Sequence, residues 1–177
     1  MPAREAPTSA IIRPVTLGDV PIVRGLILQM LADSPQAFGD QLADAQSRSE
    51  SEWIRFIENL TRLPVRCALV AADETRPCGF VCGDAATPQA PPGTVLVSRL
   101  WVNPRRRGTG LGRTLMDAIT KWAVEQGADQ IGLGVTEMNT KGLNFYAHLG
   151  YIDLGFRALW PPDPTRQIII LGRRIKI

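Results

Sequence analysis

Histidine occurs once in this 177-residue chain, at His148, and that scarcity argues against two kinds of chemistry. A zinc site and a histidine-based nucleophile triad both lack their parts. Cysteine is nearly as scarce: Cys67, Cys78 and Cys82 are odd in number and form no metal-binding spacing. Cys78 and Cys82 are expected on one face of a strand as buried free thiols. No apolar run is long enough to span a bilayer, because Val20 to Leu31 is short and broken by Arg24 and Gln29. No signal-peptide core follows Met1 to Glu5, so a cytoplasmic location is expected. A broad basic face with interleaved aromatics is missing too, and a net charge of +3 is too modest to suggest nucleic-acid binding. No repeat or linker interrupts the chain. With 45% hydrophobic and 21% charged residues, it can bury one sizeable core. Residues 1–8 read as a flexible tail and 9–177 as one domain.

The informative stretch is Arg105-Arg106-Arg107-Gly108-Thr109-Gly110-Leu111-Gly112-Arg113. It follows a β-like segment, Thr94 to Val102, and a turn at Asn103-Pro104, and it leads into a helical pattern from Leu111 to about Gln126. A strand, a glycine-rich turn and a helix start build an anion site. Glycines let the backbone approach a bulky anion, and unpaired N–H groups of the first helical turn point at it. A P-loop would need glycine where Arg107 stands and Lys-Ser or Lys-Thr after Gly112, which is followed by Arg113-Thr114. The dinucleotide fingerprint needs two residues between its last glycines, but only Leu111 separates Gly110 from Gly112.

Around this turn the pattern is α+β. Ala10 to Arg13 reads as a strand, and Thr16 or Asp19 caps a helix to about Leu31 with Pro21 in its first turns. Asp33 to Gly39 is a loop. Ser49 or Ser51 starts a helix with Trp53, Ile54, Ile57 and Leu60 on one face. Arg66 to Ala72 and Cys78 to Gly83 form a hairpin, and a proline-rich loop leads to the strand at Thr94. The helix after the glycine turn repeats Leu111, Leu115, Ile119, Trp122 and Ala123 on one face. Gln130 to Thr136 alternates as a strand does. Thr140 to Leu149 is a short helix ended by Gly150, with His148 at its surface. Tyr151 to Leu159 and Gln167 to Arg173 close the sheet around Trp160 to Pro164.

Arg107-x-x-Gly110-x-Gly112 resembles the Arg/Gln-x-x-Gly-x-Gly/Ala signature of the GNAT acetyltransferase superfamily. A second stretch supports it: Asn139, Tyr146 seven residues on, and Gly150-Tyr151 resemble Asn-x-x-Ala-x-x-x-Tyr-x-x-x-Gly-Phe, with Gly142 and Tyr151 as departures. Leu96 to Pro104, Ile12 to Pro14 and Ala32 to Gly39 are also similar to family segments, so the likeness covers about residues 10–175.

That resemblance implies a central mixed, mostly antiparallel sheet flanked by about four helices, with acetyl-CoA as co-substrate. It implies transfer of the acetyl group to an amine of a small molecule or peptide by direct attack in a ternary complex; a homodimer is compatible with it. The backbone of Leu100, Trp101 and Val102 would pair with the pantetheine arm and polarise the thioester carbonyl. Arg107, Gly108, Thr109, Gly110, Leu111, Gly112 and Arg113 would cradle the pyrophosphate, mostly through N–H groups. Asn139 would bond the cofactor arm or cap a helix, and Tyr146 would protonate the departing sulfur or pack on the core.

A lysine-like amine, with a pKa near about 10.4, is neutral in only roughly one molecule in 2,500 at pH 7, so a base would raise the rate strongly. Relatives with a glutamate five residues before the motif Asn have Gly134 as their counterpart here, and Thr94 to Val102 contains no carboxylate. Ser98 could position a water, and Glu137 is the nearest acid in sequence. Phe38 and Trp160 are candidate acceptor walls, and Asp33 and Asp40 could attract a cationic amine. The missing base also leaves a second reading, a non-catalytic acyl-CoA-binding or sensing module.

Overall fold

Two neighbouring strands are apolar on both faces, and they set the architecture. In β2 (Arg66–Asp73) and β3 (Arg76–Asp84) a continuous run of buried residues leaves no face for solvent, so layers must cover both. The computed structural model describes residues 10–62, 64–74, 76–88 and 90–175. The expected tail, residues 1–8, lies outside them. Among the described residues seven strands form one sheet, in the order β1-β2-β3-β4-β5-β7-β6, with β1 Ile11–Pro14, β4 Thr94–Val102, β5 Gln130–Thr136, β6 Ile152–Trp160 and β7 Asp163–Arg174. Only β4 and β5 run parallel; every other pair is antiparallel.

Helices α1 (Val20–Asp33) and α3 (Glu50–Leu60) cover one face. Their Leu26, Ile27, Met30, Trp53 and Ile57 pack on Ala68, Val70, Phe80 and Cys82. On the other face α4 (Leu111–Glu125) sets Leu111, Leu115, Ile119, Trp122 and Ala123 against Leu69, Ala71, Val81, Val97 and Leu133. These five are the residues the 3.6-residue period selects. Helix α4 lies so close that a Cβ at Gly79 would stand 2.8 Å from Leu115 and one at Gly83 2.6 Å from Trp122. Emptying this contact by Leu115→Ala would cost about 2–5 kcal/mol. The start of α3 is a capping box: the Ser49 hydroxyl accepts from Glu52 N at 3.3 Å, and Ser49 N donates to the Glu52 carboxylate at 2.7 Å. The fifth helix is α5 (Thr140–His148).

Four features differ from the pattern-based expectation. A short helix, α2 (Leu42–Ser47), brings the α-helices to five among the described residues. It buries only Ala45, so its sequence carries no apolar period. On α3, Ile54 is 39% exposed and does not join the buried face of Trp53 and Ile57. Cys78 and Cys82 face opposite layers: the pairing slips between Ala71↔Gly79 and Ala72↔Pro77, and the extra residue there turns Cys78 toward α4 while Cys82 faces α3. Finally, β7 starts at Asp163, so the turn after Trp160 is shorter than expected.

One irregularity shapes the centre. The pairing of β4 with β3 shifts between Phe80↔Trp101 and Cys82↔Ser98, and Arg99 takes the left-handed backbone, with φ +54°. Pairing of β4 with β5 stops at Val97↔Leu133. Beyond that point the β5-facing edge of Ser98 to Val102 has no strand partner among the described residues, and the sheet opens into a cleft.

Candidate active site

The cleft encloses about 780 Å³. One wall is the parted ends of β4 and β5, and one end is the glycine turn before α4. Gly110 is the N-cap of α4 with φ +89°, and Gly108 has φ +76°. Both conformations are costly for other residues. They aim the first turn of α4 at the cleft, where the N–H groups of Leu111, Gly112 and Arg113 have no acceptor within the helix. A Cβ on Gly112 would come 3.3 Å from the Phe145 ring, so α4 and α5 meet there at close range. The Leu111 side chain is core, leaving its backbone for any ligand. The turn therefore has the geometry and polarity of an anion cradle.

The arginines around the turn divide their work. The guanidinium of Arg106 pairs with Asp73 at 3.0 Å. That of Arg107 donates to Val102 O at 3.0 Å and to the Asp33 carboxylate, and Arg107 N donates to Pro104 O. Arg107 is thus a pin that holds the turn against β4 and α1. Arg105 and Arg113 remain exposed, and Arg113 lines the cleft with Lys141.

Asp33, at the end of α1, also accepts from Trp101 Nε1 at 2.9 Å and from the Ser34 hydroxyl at 2.7 Å. Burial alone would raise its carboxyl; the bonds from Trp101, Ser34 and Arg107 outweigh it and hold the group below the usual carboxylate range. Trp101 itself is buried on the α1 side. Asp33 is therefore taken up in joining α1, β4 and the glycine turn. Asp40 is paired too, with Arg99 at 2.9 Å. Among the described residues it is the only carboxylate residue lining the cleft.

The segment from Ser34 to Asp40 closes the other end. Thr136, at the end of β5, donates to Gln36 O at 2.8 Å, and Trp160 Nε1 donates to Phe38 O at 3.2 Å. Phe38, Trp160 and Ser98 all line the cleft. Glu137 does not. Its backbone N–H and its carboxylate both engage Gln167 on β7, at 3.0 Å and 3.4 Å.

Asn139 and Tyr146 lie on the α5 side of the cleft. Asn139 caps α5, its Oδ1 accepting from Gly142 N at 2.9 Å. The Tyr146 ring meets Phe145 at 5.2 Å and Tyr151 at 5.6 Å, both edge to face. Burial, with a smaller contribution from Tyr151, pushes the Tyr146 phenol well above its ordinary value. It stays protonated at neutral pH and can donate but not accept a proton. The cysteines take no part: burial raises the Cys82 thiol to about 12 and Cys67 to about 11, which leaves them unreactive. Among the described residues no helix is long and apolar enough to cross a membrane.

Sequence reasoning did not find the pins. Nothing in the spacing of Asp33, Asp40, Arg99 and Arg107 marks them as pairs. Arg99, which pairs with Asp40, sits on a left-handed bulge that is uncommon for arginine.

The model of the acetyltransferase (GNAT) family matches residues 28–151. An uncharacterized N-acetyltransferase of Mycobacterium bovis is 33% identical over 97 residues, which are 55% of this chain and 59% of that protein's length. The crystal structure of a GNAT-family acetyltransferase from Streptococcus pneumoniae superposes with a TM-score of 0.77 at 16% identity, covering 95% of this chain and 100% of the other. An aminoglycoside 6′-N-acetyltransferase solved in complex with coenzyme A shares the fold with a TM-score of 0.66 at 17% identity, over 94% and 98% of the two chains.

Proposed function

Starting from a chain that belongs to the acetyltransferase (GNAT) family, we propose that it transfers an acetyl group from acetyl-CoA to an amine by direct attack in a ternary complex. The observation that carries this reading is the coincidence of three features on one cleft: an unpaired strand edge, a left-handed glycine turn opening α4, and a protonated tyrosine on α5. The residues suit acetyl-CoA. Leu111, Gly112 and Arg113 offer N–H groups to a pyrophosphate, with Gly108, Thr109 and Gly110 shaping the turn and Arg107 pinning it. The open edge of Leu100, Trp101 and Val102 offers backbone partners to a pantetheine arm, and Asn139 stands across the cleft.

In this reading a backbone N–H of that edge stabilises the negative charge that develops on the attacked carbonyl. Tyr146 donates its proton to the departing sulfur. Among the described residues no unpaired carboxylate lines the cleft, so the amine loses its proton to water, which the Ser98 hydroxyl on the cleft lining would hold. An activity limited by free neutral amine rises with pH until the amine titrates.

The pairing of Asp40, the one carboxylate residue on the cleft, with Arg99 favours a second reading: a module that binds acyl-CoA without turnover. Both readings require acetyl-CoA binding by calorimetry. Steady release of free CoA that depends on an added amine supports the enzyme and excludes the module. Binding with no amine-dependent release across a broad panel supports the module and excludes the enzyme, and failure to bind any acyl-CoA removes both.

A further inference from the structure

Arg99 borders two cavities. It lines the main cleft and, with Ser98, a second hollow of about 290 Å³ between α3 and the sheet, whose other walls include Phe56, Asn59 and Leu60. Its backbone is left-handed, a conformation uncommon outside glycine, and its side chain lies on the α1–α3 face. There the guanidinium lies 5.4 Å from the Phe56 ring and 2.9 Å from Asp40. The phosphate cradle belongs to α4, whose Leu111 and Leu115 pack in the opposite layer. The two cationic features therefore sit on different faces of the sheet, and Arg99 is not part of the phosphate site.

A guanidinium has five N–H donors in a planar fork. Asp40 takes one from Nη2. The Nε–H is buried with no acceptor among the described residues. Nη1 is neither buried nor bonded to a described residue, and the side chain as a whole keeps 25% of its surface. Donors remain on Nη1 and Nη2, and a planar carboxylate accepts two such N–H groups in parallel. Arg106 and Arg107 are committed to Asp73 and Asp33, and Arg113 stands at the glycine turn, so Arg99 is the lining guanidinium beside the Ser34 to Asp40 segment that keeps donors to offer.

Resting on the acetyl-transfer reading, we infer that the acceptor is an amine that carries a carboxylate, of the amino-acid class, and that Arg99 binds that carboxylate while Asp40 holds the guanidinium in place. A site built to satisfy a charged donor discriminates strongly against a ligand that leaves the donor unpaired.

The test separates this inference from the reading beneath it by measuring binding as well as turnover. Amino acids are each compared with their decarboxylated amines in amine-dependent CoA release. Their N-acetyl derivatives are compared in the same pairs by calorimetry on the CoA-bound protein, which needs no catalysis. At least one pair should favour the carboxylate by about tenfold or more in kcat/KM and in affinity. Arg99→Asn, which keeps a residue tolerant of the left-handed backbone, should abolish the preference, and Arg99→Lys should reduce it. Carboxylate-dependent binding without turnover upholds Arg99 as the carboxylate site but removes the enzyme reading, and with it the role of that ligand as acceptor. Turnover of amines with no preference within any pair removes the inference alone. Equal affinity within every pair, including no measurable binding of either member, overturns it, as does a preference unchanged in a folded Arg99→Asn protein. Should Arg99→Asn fail to fold, the wild-type comparison still decides.

Discussion

The side chain of Asn139 occupies the place that a Cβ on residue 142 would need: its amide nitrogen lies 2.6 Å from that position, while its Oδ1 accepts from Gly142 N. The family-like motif has alanine where this chain has Gly142. The glycine makes room for the amide to fold onto the helix end.

This arrangement separates the two roles of Asn139. Asn139→Asp keeps an acceptor for Gly142 N but loses the amide donors. It should leave thermal stability nearly unchanged while weakening acetyl-CoA binding about tenfold, a single lost hydrogen bond to the ligand. Asn139→Ala loses the cap as well and should cost about 1 kcal/mol of stability. Asp binding acetyl-CoA as tightly as the wild type would make Asn139 a cap only. Melting curves and calorimetry on the two variants check both effects.

Asp33 connects the end of α1 with Trp101 and Arg107, so it should govern cofactor affinity without touching cofactor. Asp33→Ala strands a buried indole N–H and frees the guanidinium that pins the glycine turn. Stability should fall by about 1–3 kcal/mol, and the KM for acetyl-CoA should rise several-fold more than that for the amine. If Asp33 instead attracts the amine, the amine KM moves first. Gly110→Ala should weaken acetyl-CoA in the same way, and its cost of about 1–2 kcal/mol is purely conformational because space for a Cβ is open.

Much of this frame was legible in the sequence, for reasons visible in individual residues. The spacing from Leu111 to Ala123 selects one helical face, and all five residues are buried there. Alternation along Gln130 to Thr136 marks β5. Helix α2 escaped because six residues with a single buried alanine have no period to detect. The opposed cysteines escaped because one inserted residue in β3 reverses every parity beyond it. The glycine turn was readable from φ-permissive residues. The arginine that pins it was not, because the ion pair of Arg107 with Asp33 spans 74 positions and leaves no local trace.

At the start of the chain, Asp19 sets a pH dependence. It accepts two bonds from the Arg13 guanidinium, at 2.7 and 2.8 Å, and two from Thr16, at 2.8 Å from N and 2.9 Å from Oγ1. The Arg13 bond chiefly, against burial, holds its carboxyl far below the ordinary value. A carboxyl depressed in the folded state stabilises fully above its unfolded pKa of about 3.9, and the contribution disappears as pH falls toward the folded value. Asp19→Asn should cost about 1–2 kcal/mol at pH 7, at the lower end because Arg13 is 44% exposed. The gap between wild type and variant should narrow steadily below about pH 4. Thermal melts from pH 7 to pH 3 measure it, and a gap that stays constant would show that Asp19 acts through shape rather than charge.

Tyr146 distinguishes catalysis from packing. Its phenol is raised above the ordinary value by burial, so a proton is present at every physiological pH. Its hydroxyl faces no hydrogen-bond partner among the described residues, while its ring contacts Phe145 and Tyr151. Tyr146→Phe therefore removes the proton donor and keeps the packing. Stability and acetyl-CoA affinity should change little, and kcat should fall by roughly 10²-fold or more, the lower end for a general acid. The loss should appear equally in kcat and kcat/KM, as for a group that acts only in the transition state. In the wild type no descending limb from ionisation of this acid should appear below about pH 10, and the ascending limb is assigned to the amine. The variant should keep that limb at reduced height, because the step it disables does not titrate in the range. Near-normal kcat in Tyr146→Phe would instead make the ring a packing element and assign thiolate protonation to water or the substrate ammonium.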